Sequence, residues 1–193
     1  RDWGLEVDAN ISWNRNRLFN LPADQYASQL WYGASQVFIQ RNDMPIGAIY
    51  GYVEDGFYDN IAEVRADPMY RTVSDAEAQR MVGEIKYVDV DGDGQLTADR
   101  DRVVIGDTNP DYTYGFNVSG RWKKLSLSMF FQGTQGNDVY NGNLMMIGMS
   151  SIGNITQDAY NTRWTPENAS IAKWPRVTTA MTRNMLLSNR YVE

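Results

Sequence analysis

The stretch Trp3-Gly4-Leu5-Glu6-Val7-Asp8-Ala9-Asn10-Ile11-Ser12-Trp13 decides the fold class. Its odd positions, Trp3, Leu5, Val7, Ala9, Ile11 and Trp13, are apolar, and its even positions, Gly4, Glu6, Asp8, Asn10 and Ser12, are polar or small. That two-residue period belongs to a strand with one face in an apolar medium and the other in water. Ten residue steps at about 3.3 Å give roughly 33 Å, which a tilt near 40° projects to about 25 Å, the height of the apolar band on an outer-membrane β-barrel. A Trp stands at each end of the span, where such barrels carry aromatic girdles. A half-buried strand of a soluble sandwich has the same period, so this segment alone leaves both readings open.

The pattern returns further along. Tyr112, Tyr114, Phe116, Val118 and Trp122 alternate with Thr113, Gly115, Asn117, Ser119 and Arg121. After Lys123-Lys124, the residues Leu125, Leu127, Met129 and Phe131 alternate with Ser126, Ser128, Phe130 and Gln132. The spacing predicts two antiparallel strands joined by a tight turn, with Phe130 interrupting the polar face. Transmembrane barrels have short periplasmic turns and long outer loops. The Lys123-Lys124 turn is therefore expected inside, and segments 14–111 and 134–190 outside.

Composition removes several function classes. The 193 residues contain no Cys and no His, which excludes disulfides, thiolate nucleophiles, Cys-type zinc sites and the usual imidazole base. A net charge of −6 disfavours a grip on phosphate backbones, so no nucleic-acid partner is expected. No apolar run approaches the roughly 18 residues of a membrane helix, although this does not bear on strands that are apolar at every second position. The chain opens without an initiator Met or a signal segment and closes at Glu193 without a turn signal, and we expect a piece of a longer protein.

The long loops carry structure of their own. Residues 36–41 and 47–58 are rich in β-branched and aromatic residues punctuated by Gly47, Gly51 and Gly56, which predicts strands above the membrane. Ser74-Asp75-Ala76-Glu77 is a capping box that predicts a short helix to about Val82. In the second loop, Gly133, Gly136, Gly142, Gly148 and Gly153 among Asn and Met residues predict loop with at most short helices.

One motif carries metal chemistry. Asp89-Val90-Asp91-Gly92-Asp93-Gly94-Gln95-Leu96-Thr97 reproduces the start of an EF-hand-type loop: carboxylates at positions 1, 3 and 5, Gly at 6, a carbonyl at 7 and an apolar anchor at 8. Three carboxylates within five residues repel one another, and a hard divalent cation converts that repulsion into coordination. Residues 84–107 hold seven acids and three bases, a net of −4 within the chain's −6. Position 12 is Arg100, so Asp101 closes the loop only with a one-residue expansion. The expected set for a structural Ca²⁺ is Asp89, Asp91 and Asp93 by side chain, Gln95 by its backbone carbonyl, and Asp101. A metal-free Asp/Gly turn is the competing reading.

Other features are weaker. Sequons at Asn10, Asn117, Asn154 and Asn168 read as composition, and carboxylate pairs such as Glu54/Asp55 or Asp99/Asp101 have no fixed separation for glycosidase chemistry. Trp31-Tyr32 and the Tyr-rich stretch 50–58 could stack on sugar rings or pack above a barrel rim. Arg163, Lys173, Arg176, Arg183 and Arg190 form a basic stretch expected to be a solvated loop face.

A series of ordered motifs resembles the SusC/RagA family of TonB-dependent outer-membrane transporters. It runs through Pro45-Ile46-Gly47, Tyr50-Gly51-Tyr52 and Asp55-Gly56-Phe57-Tyr58, then Gly83-Glu84-Ile85-Lys86-Tyr87 entering the acidic loop. Asp101-Arg102-Val103-Val104-Ile105-Gly106, Asn109-Pro110-Asp111-Tyr112 and Phe131-Gln132-Gly133 with Gln135-Gly136-Asn137-Asp138 follow in family order. Arg163-Trp164-Thr165-Pro166-Glu167-Asn168 and Arg190-Tyr191-Val192-Glu193 complete it. The resemblance implies a late part of a large barrel whose plug domain, TonB box and remaining strands lie elsewhere. It also implies import of oligosaccharides or peptides across a Gram-negative outer membrane, coupled through the TonB complex, with a SusD-like lipoprotein as lid.

The expected fold is thus all-β: residues 1–193 form part of a transmembrane β-barrel of antiparallel strands, with long extracellular loops, a calcium-type loop at 89–101 and a short helix. No catalysis is expected. A soluble calcium-stabilised β-sandwich that binds carbohydrate and a glycosidase fragment are the alternatives. Burial of the Trp3 to Trp13 face in a closed core would favour the sandwich.

Overall fold

The computed structural model describes residues 3–29, 35–144, 154–177 and 187–193. Trp31-Tyr32, Gly148, Gly153 and Arg183 lie outside the described residues. The strands in chain order are β1 (Trp3–Ser12), β2 (Gln25–Gln29), β3 (Ser35–Gln40), β4 (Ala48–Gly51), β5 (Glu54–Phe57), β6 (Ile85–Tyr87), β7 (Val103–Asp107), β8 (Tyr112–Trp122) and β9 (Leu125–Gln135). Among the described residues three short α-helices accompany them: α1 (Ile61–Ala66), α2 (Asp75–Met81) and α3 (Gln157–Thr162). Among the described residues no helix is long and apolar enough to cross a membrane.

The three long strands form one antiparallel sheet in the order β1-β8-β9. β8 and β9 are joined by the two-residue turn at Lys123-Lys124, whose first residue takes φ 54°. The register explains the alternation seen in sequence. One face stacks Trp3, Trp122 and Leu125, then Leu5, Gly120 and Leu127, then Val7, Val118 and Met129, then Ala9, Phe116 and Phe131. The opposite face stacks Glu6, Ser119 and Ser128, then Asp8, Asn117 and Phe130, then Asn10, Gly115 and Gln132. Phe130 is the single large apolar side chain on the polar face. A one-residue slip would exchange the two faces entirely, so this chemistry pins the register.

The apolar face is uncovered. Trp3 is 70% exposed, Trp122 60% and Leu127 61%, and Leu5, Val7, Ile11 and Leu125 are exposed with them. No second sheet lies on this face among the described residues, which is the arrangement the sandwich reading required. The buried apolar residues run from Val37 to Tyr191, and none of them is in β1, β8 or β9.

The core belongs instead to a lobe built from the segments that leave the sheet at its end away from the Lys123-Lys124 turn. A four-stranded sheet in the order β2-β3-β4-β7 and a two-stranded sheet β5-β6 form its frame. Val37, Ile49, Leu187 and Tyr191 pack in one cluster, Tyr58, Val64, Tyr70, Ala78, Val82 and Trp164 in a second, and Tyr52, Ile85 and Tyr87 in a third. Residues from the later segment, Trp164, Leu187 and Tyr191, thus complete cores begun by residues 37–87. The backbone follows: Ser188 bridges to Tyr52, Asn189 N–H donates to the Tyr52 carbonyl at 3.0 Å, and Arg176 N–H donates to the Gly83 carbonyl at 2.9 Å.

Local sequence accounts for the short elements. The Ser74 hydroxyl accepts from Glu77 N–H and caps α2, and the Thr156 hydroxyl accepts from Ala159 N–H and caps α3. The sequence predicts one short helix in the first excursion, and α1 is a second, capped by the Asn60 side chain accepting from Glu63 N–H. β2, β6 and β7 likewise add strands to those expected from residues 36–41 and 47–58. β9 extends to Gln135.

Candidate functional site

The acidic loop lies between β6 and β7 and is set by its own backbone. Gly92 and Gly94 take φ 74° and 78°, the left-handed conformation that glycine enters without a Cβ clash. Their N–H groups donate to Asp89 Oδ1 and Oδ2 at 2.8 and 2.7 Å. Gly94 N–H first, then Gly92 N–H, hold the Asp89 carboxyl below its usual range, because both bonds favour the charged form. Asp93 N–H donates to Asp91 Oδ1 at 3.2 Å, and Gln95 N–H to Asp93 Oδ1 at 2.8 Å. Leu96, the apolar anchor, packs against the cluster of Tyr52, Ile85 and Tyr87.

Asp101 closes the loop from inside. It is fully buried, its Oδ1 accepts from Val90 N–H at 2.9 Å, and its Oδ2 accepts from Thr97 N–H at 2.6 Å. This carboxylate staples the two ends of the loop whether or not an ion is bound. It also brings the expected ligands together: Asp89, Asp91 and Asp101 each offer a carboxylate oxygen within 4.8 Å of the others. A carboxylate oxygen that accepts one N–H bond keeps a second lone pair, so the donor set fits a hard divalent cation.

Asp93 stands outside that cluster. Arg100, at position 12 of the motif, places Nη1 at 2.8 Å from Asp93 Oδ2 and 3.5 Å from Asp91 Oδ2. In sequence Arg100 registers only as a missing ligand, whereas its guanidinium is a cation competing for two of the acids. The signal that could have found this is the seven-residue spacing back to Asp93 across a tight loop. Gln95 holds position 7, and its N–H is committed to Asp93.

Other features lie elsewhere in the lobe and at its junction with the long sheet. The Glu84 side chain is buried and meets Arg176 Nε at 3.1 Å, so one of the basic residues expected on a solvated face is an internal partner. Arg190 is another, pairing with Glu54 at 2.6 Å. At the end of β1 and β8 nearest the lobe, a groove of about 580 Å³ is lined by Arg15, Arg17, Phe19, Asp43, Asp107 and Asp111 among others. Its mixed charge and single exposed ring suit a polar ligand in contact with water. Asn168, which reads in sequence as a chance sequon, holds a turn together. Its side chain accepts from Thr165 N–H at 2.7 Å and donates to the Arg163 carbonyl at 2.7 Å.

Comparison with known proteins places this geometry. TonB-dependent receptor P3 of Formosa agariphila is 33% identical over 199 residues, covering 100% of this chain and 18% of that protein. TonB-dependent receptor P26 of the same organism is 44% identical over 90 residues, covering 46% of this chain and 9% of that protein. No family model matches the chain. The structure of the RagAB peptide transporter shares the fold with a TM-score of 0.65 at 20% identity, covering 100% of this chain and 19% of that one. The RagAB peptide importer in its closed-closed state gives 0.60 at 18% identity. The chain spans under a fifth of the length of each of these relatives. A match along the whole chain to a TonB-dependent receptor, joined to the fold shared with RagAB, makes the chain a segment of a member of the TonB-dependent receptor family.

Proposed function

We propose that the chain forms part of the wall and outer face of an outer-membrane nutrient importer that takes up oligosaccharides or peptides. The observation that carries this reading is the uncovered apolar face of β1, β8 and β9, with tryptophans at its margins, beside a lobe that holds the buried apolar residues among those described. Water would not tolerate such a face, and hydrocarbon would. Open strand edges are likewise untenable in lipid, so β1 and β9 pair with further strands of the longer protein in a closed barrel.

In this arrangement the Lys123-Lys124 turn faces the periplasm and segments 14–111 and 134–190 lie outside. The lobe is the surface where a SusD-like lipoprotein and the substrate dock, while TonB acts through parts of the protein beyond this chain. A Ca²⁺ ion held by Asp89, Asp91 and Asp101 braces the lobe, with Asp93 and the Gln95 carbonyl joining when Arg100 swings aside. No residue here performs covalent chemistry. The relatives named above are receptors and transporters, which accords with that reading.

The experiment is deletion of the full-length receptor gene in its host, followed by growth on single oligosaccharides and on peptides as sole nutrient. Loss of growth on one class, reproduced by loss of TonB and by loss of the co-purifying lipoprotein, supports the importer. Unimpaired growth on both classes, or a receptor absent from the outer-membrane fraction, overturns it.

A further inference from the structure

We infer that the Lys123-Lys124 turn and the adjoining end of the apolar face bind an anionic phospholipid of the inner leaflet. The inference rests on the orientation proposed above, which puts this turn at the periplasmic side. Three observations carry it. The last rung of the apolar face is Trp3, Trp122 and Leu125, all exposed, so indoles stand where the hydrocarbon gives way to headgroups. The Lys123 ammonium lies 5.1 Å from the centroid of the Trp122 ring. Because Trp122 belongs to the apolar face, this contact holds the positive charge on the lipid side of the turn and not over the lumen.

The third observation is a notch. Gly120 lies between Leu5 and Leu127 in register, and a Cβ placed there would meet nothing within 4 Å. Two residue steps lead from Gly120 to Trp122, so the notch sits about 7 Å deeper than the indole. A lipid phosphate at the lysine pair would direct the upper part of one acyl chain along the two leucines and into that space. Charge complementarity selects the headgroup. Lys123 and Lys124 stand together, and no carboxylate lies on the apolar face of β1, β8 or β9. Among the described residues the closest acid in register, Glu6, lies on the opposite face. A headgroup with net negative charge is matched there, whereas a zwitterionic one brings its own competing ammonium. The lysine stems lie along the apolar rim with their charges in the headgroup layer.

The test uses the full-length receptor extracted from outer membranes in mild detergent, with retained phospholipids quantified by mass spectrometry, and the same protein in nanodiscs mixing phosphatidylglycerol and phosphatidylethanolamine. Wild-type receptor is expected to enrich phosphatidylglycerol over the bulk lipid. The Lys123→Gly, Lys124→Gln variant is expected to lose about fivefold of that enrichment per lysine. Glycine suits the φ of 54° at position 123, so this variant keeps the turn. Gly120→Leu, which fills the notch, should also release the lipid, whereas Arg121→Gln on the polar face should not. Equal enrichment in wild type and the lysine variant overturns the inference. So does lipopolysaccharide bound in place of phospholipid and lost in that variant, since the turn would then face outward. A receptor missing from the outer membrane would instead defeat the importer reading itself.

Discussion

Glu54 and Arg190, 136 residues apart, meet through two parallel 2.6 Å bonds, Arg190 Nε to Glu54 Oε1 and Arg190 Nη2 to Glu54 Oε2. The side chains are only 15% and 10% exposed for Arg190 and Glu54, the Ser188 hydroxyl donates to the same carboxylate, and Arg190 Nη1 reaches the Lys173 carbonyl at 3.0 Å. This pair ties the 187–193 segment to β5 and so joins the two excursions into one lobe. Removing one partner strands a largely buried charge, so Glu54→Ala or Arg190→Ala should destabilise the lobe by about 3–5 kcal/mol. Arg190→Lys should fail to restore it, because a point charge cannot form the bidentate fork. Limited proteolysis of the full receptor on intact cells reads this directly: cleavage within 134–193 should accelerate in each variant, and unchanged cleavage would refute the assigned role.

Gly83 offers a second, separable measure of the same docking. Its φ is +82°, and a Cβ there would lie 2.5 Å from Trp164 Cε3, whose indole N–H donates to Asp59 Oδ1 at 2.9 Å. Gly56 has nearly the same φ, +84°, but open space where a Cβ would stand. Gly56→Ala should therefore show only the backbone cost, about 1–2 kcal/mol, while Gly83→Ala adds an overpacking cost of about 1–3 kcal/mol. Equal losses in the two variants, measured by hydrogen exchange of the lobe, would mean that Trp164 does not pack on Gly83.

The sheet of β1, β8 and β9 was legible in sequence because one apolar face imprints a two-residue period from Trp3 to Ile11, from Tyr112 to Trp122 and from Leu125 to Phe131, interrupted on the polar face by Phe130. The lobe was legible only in part: β3, β4, β5 and α2 fall where residues 36–41, 47–58 and the Ser74 capping box predict them, whereas β2, β6 and β7 are short and their pairing is tertiary. β6 has three residues, and β4 pairs with β7, with Ala48 opposite Asp107. α1 escaped because Asn60 caps only six residues that bury Val64 alone, too little for a helical stripe. The acidic loop was legible as a set of oxygens but not as a charge balance. Whether Arg100 coordinates nothing or neutralises Asp91 and Asp93 depends on a fold of the loop that spacing does not record.

That charge balance makes the proposed ion tunable. Arg100→Glu removes the competing guanidinium and supplies the carboxylate that position 12 of such loops normally holds, so Ca²⁺ affinity should rise about tenfold or more. Asp89 adds a pH dependence with a defined sign. Its folded pKa lies below the unfolded value, because Gly94 and Gly92 donate to its charged form. Its contribution to loop stability is therefore present above the unfolded carboxylate pKa and is lost as pH falls through the lower folded value. Calorimetric titration of the receptor with Ca²⁺, before and after acidification, checks both. Equal binding by wild type and Arg100→Glu would refute the competition by Arg100, and no binding by either would leave the loop as a metal-free staple built on Asp101.

The two faces of the sheet make the last prediction, because neighbouring residues on β8 should respond oppositely to one substitution. Val118 sits in the central rung with Val7 and Met129, and Asn117 points to the other face between Asp8 and Phe130, with its amide 3.4 Å from Asp8 Oδ2. If the apolar face meets hydrocarbon, Val118→Arg places a charge near the bilayer midplane at a cost of about 2–4 kcal/mol. Asn117→Arg, one residue away, stays in the aqueous lumen beside Asp8 and should cost little. Heat-modifiable folded receptor in the outer membrane is the readout, with the Val118 variant depleted and the Asn117 variant close to wild type. The reverse order would place water on the face of Trp3 and Trp122 and would contradict the membrane assignment of all three strands.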